Sequence, residues 1–414
     1  MIRILNSADA QGLFVRRGAR LEAAEDVVRP ILEAVRQRGD EALMAYARKF
    51  DALQRTSVSV EKSERQQALA QLSPAFVSAV EMAAANIRSF AERQLPKSYF
   101  EESASGLFTG QIVRPLDTVA AYIPGGRYPL PSTLMMTLIP ARVAGVRNVC
   151  FCCPRLVNEV FGTAELLGAT HGFLMGGAHA IAAFAYGTET VPRADRIVGP
   201  GNIYVAAAKK LLAGETGIDF VAGPTEILII ANDADPRHLA ADMLAQAEHD
   251  TDAASILLTS SRTLAERTAA EIERQLLPLS TADVARQAIA NNSAIVIVES
   301  DDEALRLSNQ FAPEHLSIYD EALLPGIQHA GSVFIGPYSP EAAGDYASGP
   351  NHVLPTSGHA RLRAGLSAAD YVKTISVQRL TAAALTSLAP SIATLARAEG
   401  LEAHARSVEV RLDA

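Results

Sequence analysis

The chain has 414 residues, 49% hydrophobic and 20% charged, a core-rich composition that excludes a disordered protein and suits about two to three domains. Lys+Arg number 37 against 46 Asp+Glu, and a net charge of −9 without any basic block argues against nucleic acid and against an anionic membrane surface. The three cysteines all fall within Cys150 to Cys153, the start lacks a signal-peptide pattern and no run reaches the ~18–20 apolar residues of a membrane span, so a soluble protein of the reducing cytoplasm is expected.

The first third reads as helices. Val27, Val28, Ile31, Leu32 and Val35 recur at helical spacing until Gly39-Asp40 breaks the pattern. Ser73-Pro74 is an N-cap followed by proline at the first helical position, opening a helix through Val77, Val80, Ala84, Ile87 and Phe90 that closes at Leu95-Pro96. From Leu107 the pattern changes. Short β-rich runs at 112–113 and 118–123 lead into strands at 148–152, 173–175, 196–198, 226–231, 255–259, 294–298, 315–319 and 332–335. Helices are expected between them at 133–144, 158–167, 178–186, 203–212, 237–247, 264–276 and 303–310.

This alternation predicts an α/β fold with parallel sheets covered on both faces, and about eight such strands fit two sheets better than one. Gly-rich breaks at 123–126 and 222–224 bracket an inner domain. The stretch 336–362, rich in Gly, Pro, Ser, Asn and His, reads as a long functional loop. A helix at 382–398 and a short strand at 407–412 close the chain.

Several constellations carry chemistry. Asp242, Gln246 and His249 fall on one helical face, and a Gln and a His three positions apart can reach one cation. The alternative is a polar helix end with His249 favouring the dipole. Glu314-His315 enters a strand and offers two groups able to move protons. Consecutive strand residues face opposite ways, so both serve one pocket only at the strand's mouth; otherwise the pair faces solvent. The loop from Gly344 to His352 adds the carboxylate of Asp345 and an imidazole among glycines, as site or as plain turn. Tyr122-Ile-Pro-Gly-Gly126, Gly176-Gly177 and Gly199-Pro-Gly-Asn202 join strands to helices, where backbone amides can meet a phosphate, although none is a G-x-G-x-x-G. Cys150-Phe-Cys152-Cys153 reads as a buried strand rather than a nucleophile or thiolate site.

Together and in this order, these stretches resemble the histidinol dehydrogenase family, through Ala222-Gly-Pro-Thr-Glu226, Gln246-Ala-Glu-His249, Pro313-Glu-His-Leu316, Gly344-Asp-Tyr-Ala-Ser-Gly349, Asn351-His-Val-Leu-Pro355 and Glu399 to His404 besides the glycine turns. The likeness covers essentially the whole chain. It implies two incomplete Rossmann-like domains with a helical N-terminal region and a small C-terminal segment: 1–19 as an N-terminal segment, 20–120 plus 227–366 as the first α/β domain, 121–226 as the second, NAD-binding one, and 367–414 reaching into a partner subunit.

The resemblance further implies a zinc-dependent homodimer with shared active sites that oxidises L-histidinol to L-histidine in two NAD-dependent steps through a bound aldehyde, at the end of histidine biosynthesis. By the same resemblance, Gln246, His249, Asp345 and His404 hold zinc, His404 coming from the partner, and Glu314 and His315 transfer protons. Thr225, Gln246, His249, His315, Asp345, Glu399 and His404 line the substrate site, and Tyr122, His179 and Asn202 meet NAD. The chain departs from the family twice. His179 stands where the family usually has glutamine, and Thr225 where it often has serine. Fold and metal set do not by themselves name a substrate, so a paralogue acting on another small polar alcohol is an alternative. A zinc hydrolase, using metal-bound water and Glu314 without a nicotinamide, is another.

Overall fold

The structure, a computed structural model, describes residues 2–14, 21–125, 129–221 and 223–412. Gly126, Ala222 and residues 15–20, on which motif ends and part of the N-terminal segment fall, lie outside them. The chain forms two compact units: Met1–Gln94 with Asp117–Tyr371, and Leu95–Leu116 with Val372–Ala414.

The first unit holds two six-stranded sheets. In one, the chain runs outward from Glu226–Ile230 through Ala254–Thr259 to Ala294–Ile297, then adds His315–Ile318 and Ser332–Ile335 on the other side. Arg3–Asn6 pairs parallel at the far edge. The second sheet repeats the winding, from Thr118–Tyr122 through Asn148–Cys152 to His171–Phe173, then Arg196–Val198 and Gly217–Ile218, with Ser59–Val60 antiparallel at one edge. Both sheets are therefore doubly wound, the Rossmann-like pattern expected, each with a switch point where the winding reverses.

The strands form because β-branched and apolar residues fill both faces. Leu228, Ile230, Ile256, Leu258, Val296, Leu316 and Ile318 pack on one side of the first sheet with Leu307 and Leu323. Their neighbours Ile227, Ile229, Leu257 and Ile295 pack on the other with Leu239, Met243, Leu244 and Ile272 from the covering helices. Cys150, Cys152 and Cys153 are buried, and burial pushes the Cys150 thiol up to about 12, so the packing reading of these residues stands.

Three sequence-based expectations change. The first third was grouped with the domain of the first sheet. Its helices instead cover the second: Glu22–Arg38 packs on Gly177–Tyr186 and Ile203–Leu212, Lys62–Ala70 on Asn158–Leu166, and Pro74–Gln94 on Pro131–Val143. Periodicity identified the buried stripe Val28, Ile31, Leu32 and Val35 but not its partner. Residues 407–412 are not a strand; Glu402–Glu409 is a helix whose Ala405 is buried with Ala393 and Ala396 of the helix Ala382–Ala398. The strand expected at 173–175 runs His171–Phe173.

The second unit also contains an antiparallel sheet, Val372–Leu380, Leu107–Pro115 and Tyr99–Ala104, whose outer strand is exposed throughout and so carries no alternating pattern to read. Among the described residues, no single helix is long and apolar enough to cross a membrane.

Candidate active site

The two sheets of the first unit present opposite edges to one cavity of about 380 Å³. From the second sheet come Pro124 and the turn Pro200-Gly201, which follow the carboxyl ends of the strands beside its switch point, the usual place for a ligand in such sheets. From the first sheet come Thr225, Glu314 and His315, which lie at the amino ends of Glu226–Ile230 and His315–Ile318. Glu314 thus precedes its strand and His315 begins it. This mouth position lets two consecutive residues serve one pocket.

His315 is buried, and its Nδ1 lies 3.2 Å from the Glu226 carbonyl oxygen. A carbonyl only accepts, so Nδ1 carries the proton and Nε2 the lone pair. Nε2 is buried without a hydrogen-bond partner, 3.9 Å from Asp345 Oδ1. Burial lowers the imidazole pKa to about 3, which keeps the ring neutral at pH 7. A neutral imidazole with a free, oriented Nε2 is ready to accept a proton. Glu314 Oε2 lies 2.5 Å from the Thr225 hydroxyl and accepts the Glu226 N–H at 2.9 Å. Burial pushes this carboxyl well above its ordinary range, and the two hydrogen bonds offset only part of the shift.

Beside this pair, donor atoms of His249, Glu341 and Asp345 all lie within 4.8 Å of one another. Burial raises Glu341 well above the ordinary carboxylate range, with the charges of Asp345 and Glu314 adding to it, and burial raises Asp345 to about 6. The buried Glu341 and half-buried Asp345 carboxyls with the exposed His249 imidazole form a donor set that a divalent cation fits, because the cation offsets the charge that burial makes costly. Gln246 is fully buried on the helix Pro236–Ala247, which ends just before His249. Its amide lies between the Thr225 hydroxyl, 2.5 Å away, and Glu341 Oε2, 2.9 Å away.

Glu341 is the residue that the sequence reading missed. It opens the helix Glu341–Tyr346 inside the stretch read as a loop. Four positions before Asp345, it falls on the same helical face, a signal available only once the segment is known to be helical. His352 also lines the cavity; its Nδ1 lies 2.8 Å from the Asp345 carbonyl oxygen, and burial lowers its pKa to about 4.

A second cleft, of about 650 Å³, is lined by Tyr122, His179 and Asn202 together with Phe50, Asp51 and Arg155. The turns at Gly176-Gly177 and Gly199–Asn202 thus border a single space. Tyr122 Oη accepts the Gly177 N–H at 3.1 Å, and Asn202 caps the helix Ile203–Leu212 by accepting from the backbone N–H groups of Tyr204 and Val205 at 3.1 Å. Gly199 has φ +108° and packs so tightly on the Tyr122 carbonyl that no Cβ fits there. Of the candidate site residues, the first unit gathers Thr225, His249, Glu314, His315 and Asp345 at the cavity, with Gln246 buried behind Thr225. Glu399 and His404 belong to the second unit, and both are exposed.

Glu226 supports the site from below. Its Oε1 accepts the Ser357 N–H at 3.1 Å, and burial raises its carboxyl from 4.5 to about 8. The folded state therefore keeps this proton up to about pH 8, while the unfolded chain releases it near pH 4.5. Its contribution to stability is fully present below pH 4.5 and is lost as pH rises to 8. Glu226→Gln is expected to melt higher than the parent at pH 7.5 and equally at pH 4, which thermal melts at both pH values would check. An equal melting temperature at pH 7.5 would show the carboxyl to be ionised in the fold.

Fold and site together define the class, an α/β oxidoreductase on two doubly wound sheets. Residues 15–412 match the family model described as histidinol dehydrogenase. The histidinol dehydrogenase of Geobacter sulfurreducens is 46% identical over 400 residues, covering 94% of this chain and 93% of the relative. That of Methanosarcina barkeri is 45% identical over 417 residues, covering 98% and 96%. The crystal structure of histidinol dehydrogenase from Elizabethkingia anophelis superposes with a TM-score of 0.96 at 37% identity, covering 100% of this chain and 98% of that one. The chain belongs to the histidinol dehydrogenase family.

Proposed function

We propose that this protein oxidises L-histidinol to L-histidine in two successive NAD-dependent steps through a bound aldehyde, consuming one water. The observation that carries this reading is the neutral His315, with its buried, unpartnered Nε2, beside a carboxyl and a cation-fitting cluster at the cavity next to the glycine-turn cleft. His315 Nε2 takes the proton of the alcohol. Glu314, as its carboxylate, then takes a proton from the water that attacks the aldehyde; the burial that raises its pKa makes it a stronger base than an exposed glutamate. Burial of both groups keeps bulk water from competing for these protons.

We assign Gln246, His249 and Asp345 as zinc-holding residues, with His404 contributed by a partner subunit, in a homodimer with shared sites. Glu341 lies within reach of the same ion. When bound, zinc supplies Lewis-acid polarisation of the substrate and NAD supplies the hydride acceptor. Thr225, Glu399 and the ligand residues form the substrate site, and Tyr122, His179 and Asn202 the cofactor site. Participation in histidine biosynthesis and a cytoplasmic location complete the proposal.

The test is absorbance at 340 nm with L-histidinol and NAD. About two NADH per histidinol is the expected yield, from the two oxidation steps. No NADH from histidinol, with turnover of another small polar alcohol, would favour the paralogue. Ester or amide cleavage without any NADH would favour the hydrolase.

A further inference from the structure

One wall of the 650 Å³ cleft comes from the N-terminal helices. The helix Asp40–Phe50 ends at Asp51, whose Oδ2 accepts the Gly176 N–H at 2.9 Å and lies 2.8 Å from His179 Nε2. Both side chains are buried, at 8% and 1% exposure. Tyr46 and Phe50 of the same helix lie against the imidazole, each with its ring centroid 6.1 Å away. The turn is closely fitted: a Cβ at Gly176 would lie 2.9 Å from Pro154 Cβ and 3.1 Å from Asp51 Oδ1. One carboxylate therefore joins the end of a helix, a glycine turn and a ring that lines the cleft.

We infer that Asp51 is a positioning residue for the dinucleotide, acting through His179 to present a hydrogen-bond acceptor to a cofactor hydroxyl. The inference rests on the proposed reading of this cleft as the cofactor site. Its chemistry follows from what an imidazole can do. Asp51 Oδ2 already accepts the Gly176 N–H, so it faces His179 as an acceptor, Nε2 is the donor toward it, and the Nε2–H tautomer leaves Nδ1 as an acceptor. Nδ1 lies beside Gly177, where an added Cβ would be 3.5 Å from it, and Gly177 also lines the cleft. A ribose hydroxyl can donate to such a nitrogen, whereas an ionised phosphate has no proton to give. A glutamine there would carry donor and acceptor on one amide. The rigid ring presents the correct atom only if its other nitrogen is held, and Asp51 holds it.

The experiment is fluorescence titration of NADH into zinc-loaded Asp51→Ala, Asp51→Asn, His179→Ala, Asn202→Ala and Asp51→Ala/His179→Ala enzymes, with the Michaelis constant for L-histidinol measured in parallel. The amide in Asp51→Asn is close in shape to the carboxylate and keeps an acceptor for Gly176. Gly176 and His179 both meet the same atom, Oδ2, so the amide oxygen of Asp51→Asn can accept from the Gly176 N–H and the His179 Nε2–H alike, which makes this variant the conservative rescue. Asp51→Ala is expected to bind NADH about tenfold more weakly, the worth of one hydrogen bond, and Asp51→Asn to stay within a few-fold of the parent. The Michaelis constant for histidinol should not move, and the double variant should be no weaker than His179→Ala alone. Parent-like affinity in Asp51→Ala, with His179→Ala and Asn202→Ala weakened, would overturn the role of Asp51 and leave the cleft assignment standing. Additive losses in the double variant would overturn action through His179. Parent-like affinity in all five would overturn the cleft assignment and this inference with it.

Discussion

His315→Ala lowers kcat with L-histidinol by about 10²–10⁴-fold, the usual worth of a positioned general base, while NADH affinity stays at the parent's value. The expectation comes from how the ring is held. The Glu226 carbonyl receives Nδ1–H, and burial keeps the ring neutral, so the whole basicity of the side chain sits on Nε2 at the cavity. Alanine removes that base and leaves the Glu226 carbonyl to water or the backbone. The cofactor cleft is lined by other residues, so binding there should be unaffected. Glu314→Gln should lose a similar factor, but chiefly on the aldehyde, because only the second oxidation draws a proton from water. Steady-state kinetics with the alcohol and with the aldehyde, beside NADH titrations, separate these effects. A His315→Ala enzyme within tenfold of the parent on both substrates would remove His315 from proton transfer.

His249→Ala and Asp345→Asn are expected to lose bound zinc and turnover together. Removal of a direct ligand should cost at least the ~10–100-fold in metal affinity that loss of an outer partner costs. Glu341→Gln should fall within that range if Glu341 acts by orienting Gln246, and well beyond it if the carboxylate itself touches the ion. Zinc content by plasma emission spectroscopy, after dialysis against graded chelator, gives the order. The same measurement on His404→Ala tests the fourth ligand. Mixed with a Glu314→Ala/His315→Ala double variant, His404→Ala should recover part of its activity, because one of the two sites in each heterodimer would then be intact. No recovery in verified heterodimers would place His404 outside the partner's site, and unchanged zinc content in all four single variants would refute the ligand set.

The parallel, helix-covered character of the two main sheets was legible in the sequence because apolar runs such as Ile227 to Ile230 alternate with helices along the whole middle of the chain, while their strand order came from the structure. The pairing of Gln246 with His249 and of Glu314 with His315 was legible for the same local reason: residues a few positions apart on one element report their own geometry. Glu341 was not, because a Gly- and Pro-rich stretch hides a helix of six residues from any periodicity. Asp51 was not, because it stands 125 positions from Gly176 and 128 from His179, and its meaning exists only where they meet.

The amino-acid sequence by itself determined the α/β class, the buried cysteine strand, the helical first third and, through the motif order, the family. Local spacing and hydrophobic pattern carry that information, since they describe which face of an element is buried. Tertiary structure alone decided what each face is buried against. It set the first third on the second sheet and turned the end of Glu402–Glu409 from an apparent strand into helix. It also brought the amino edge of one sheet to the carboxyl edge of the other around one cavity. Such pairings follow from packing between distant segments, which no short-range pattern encodes.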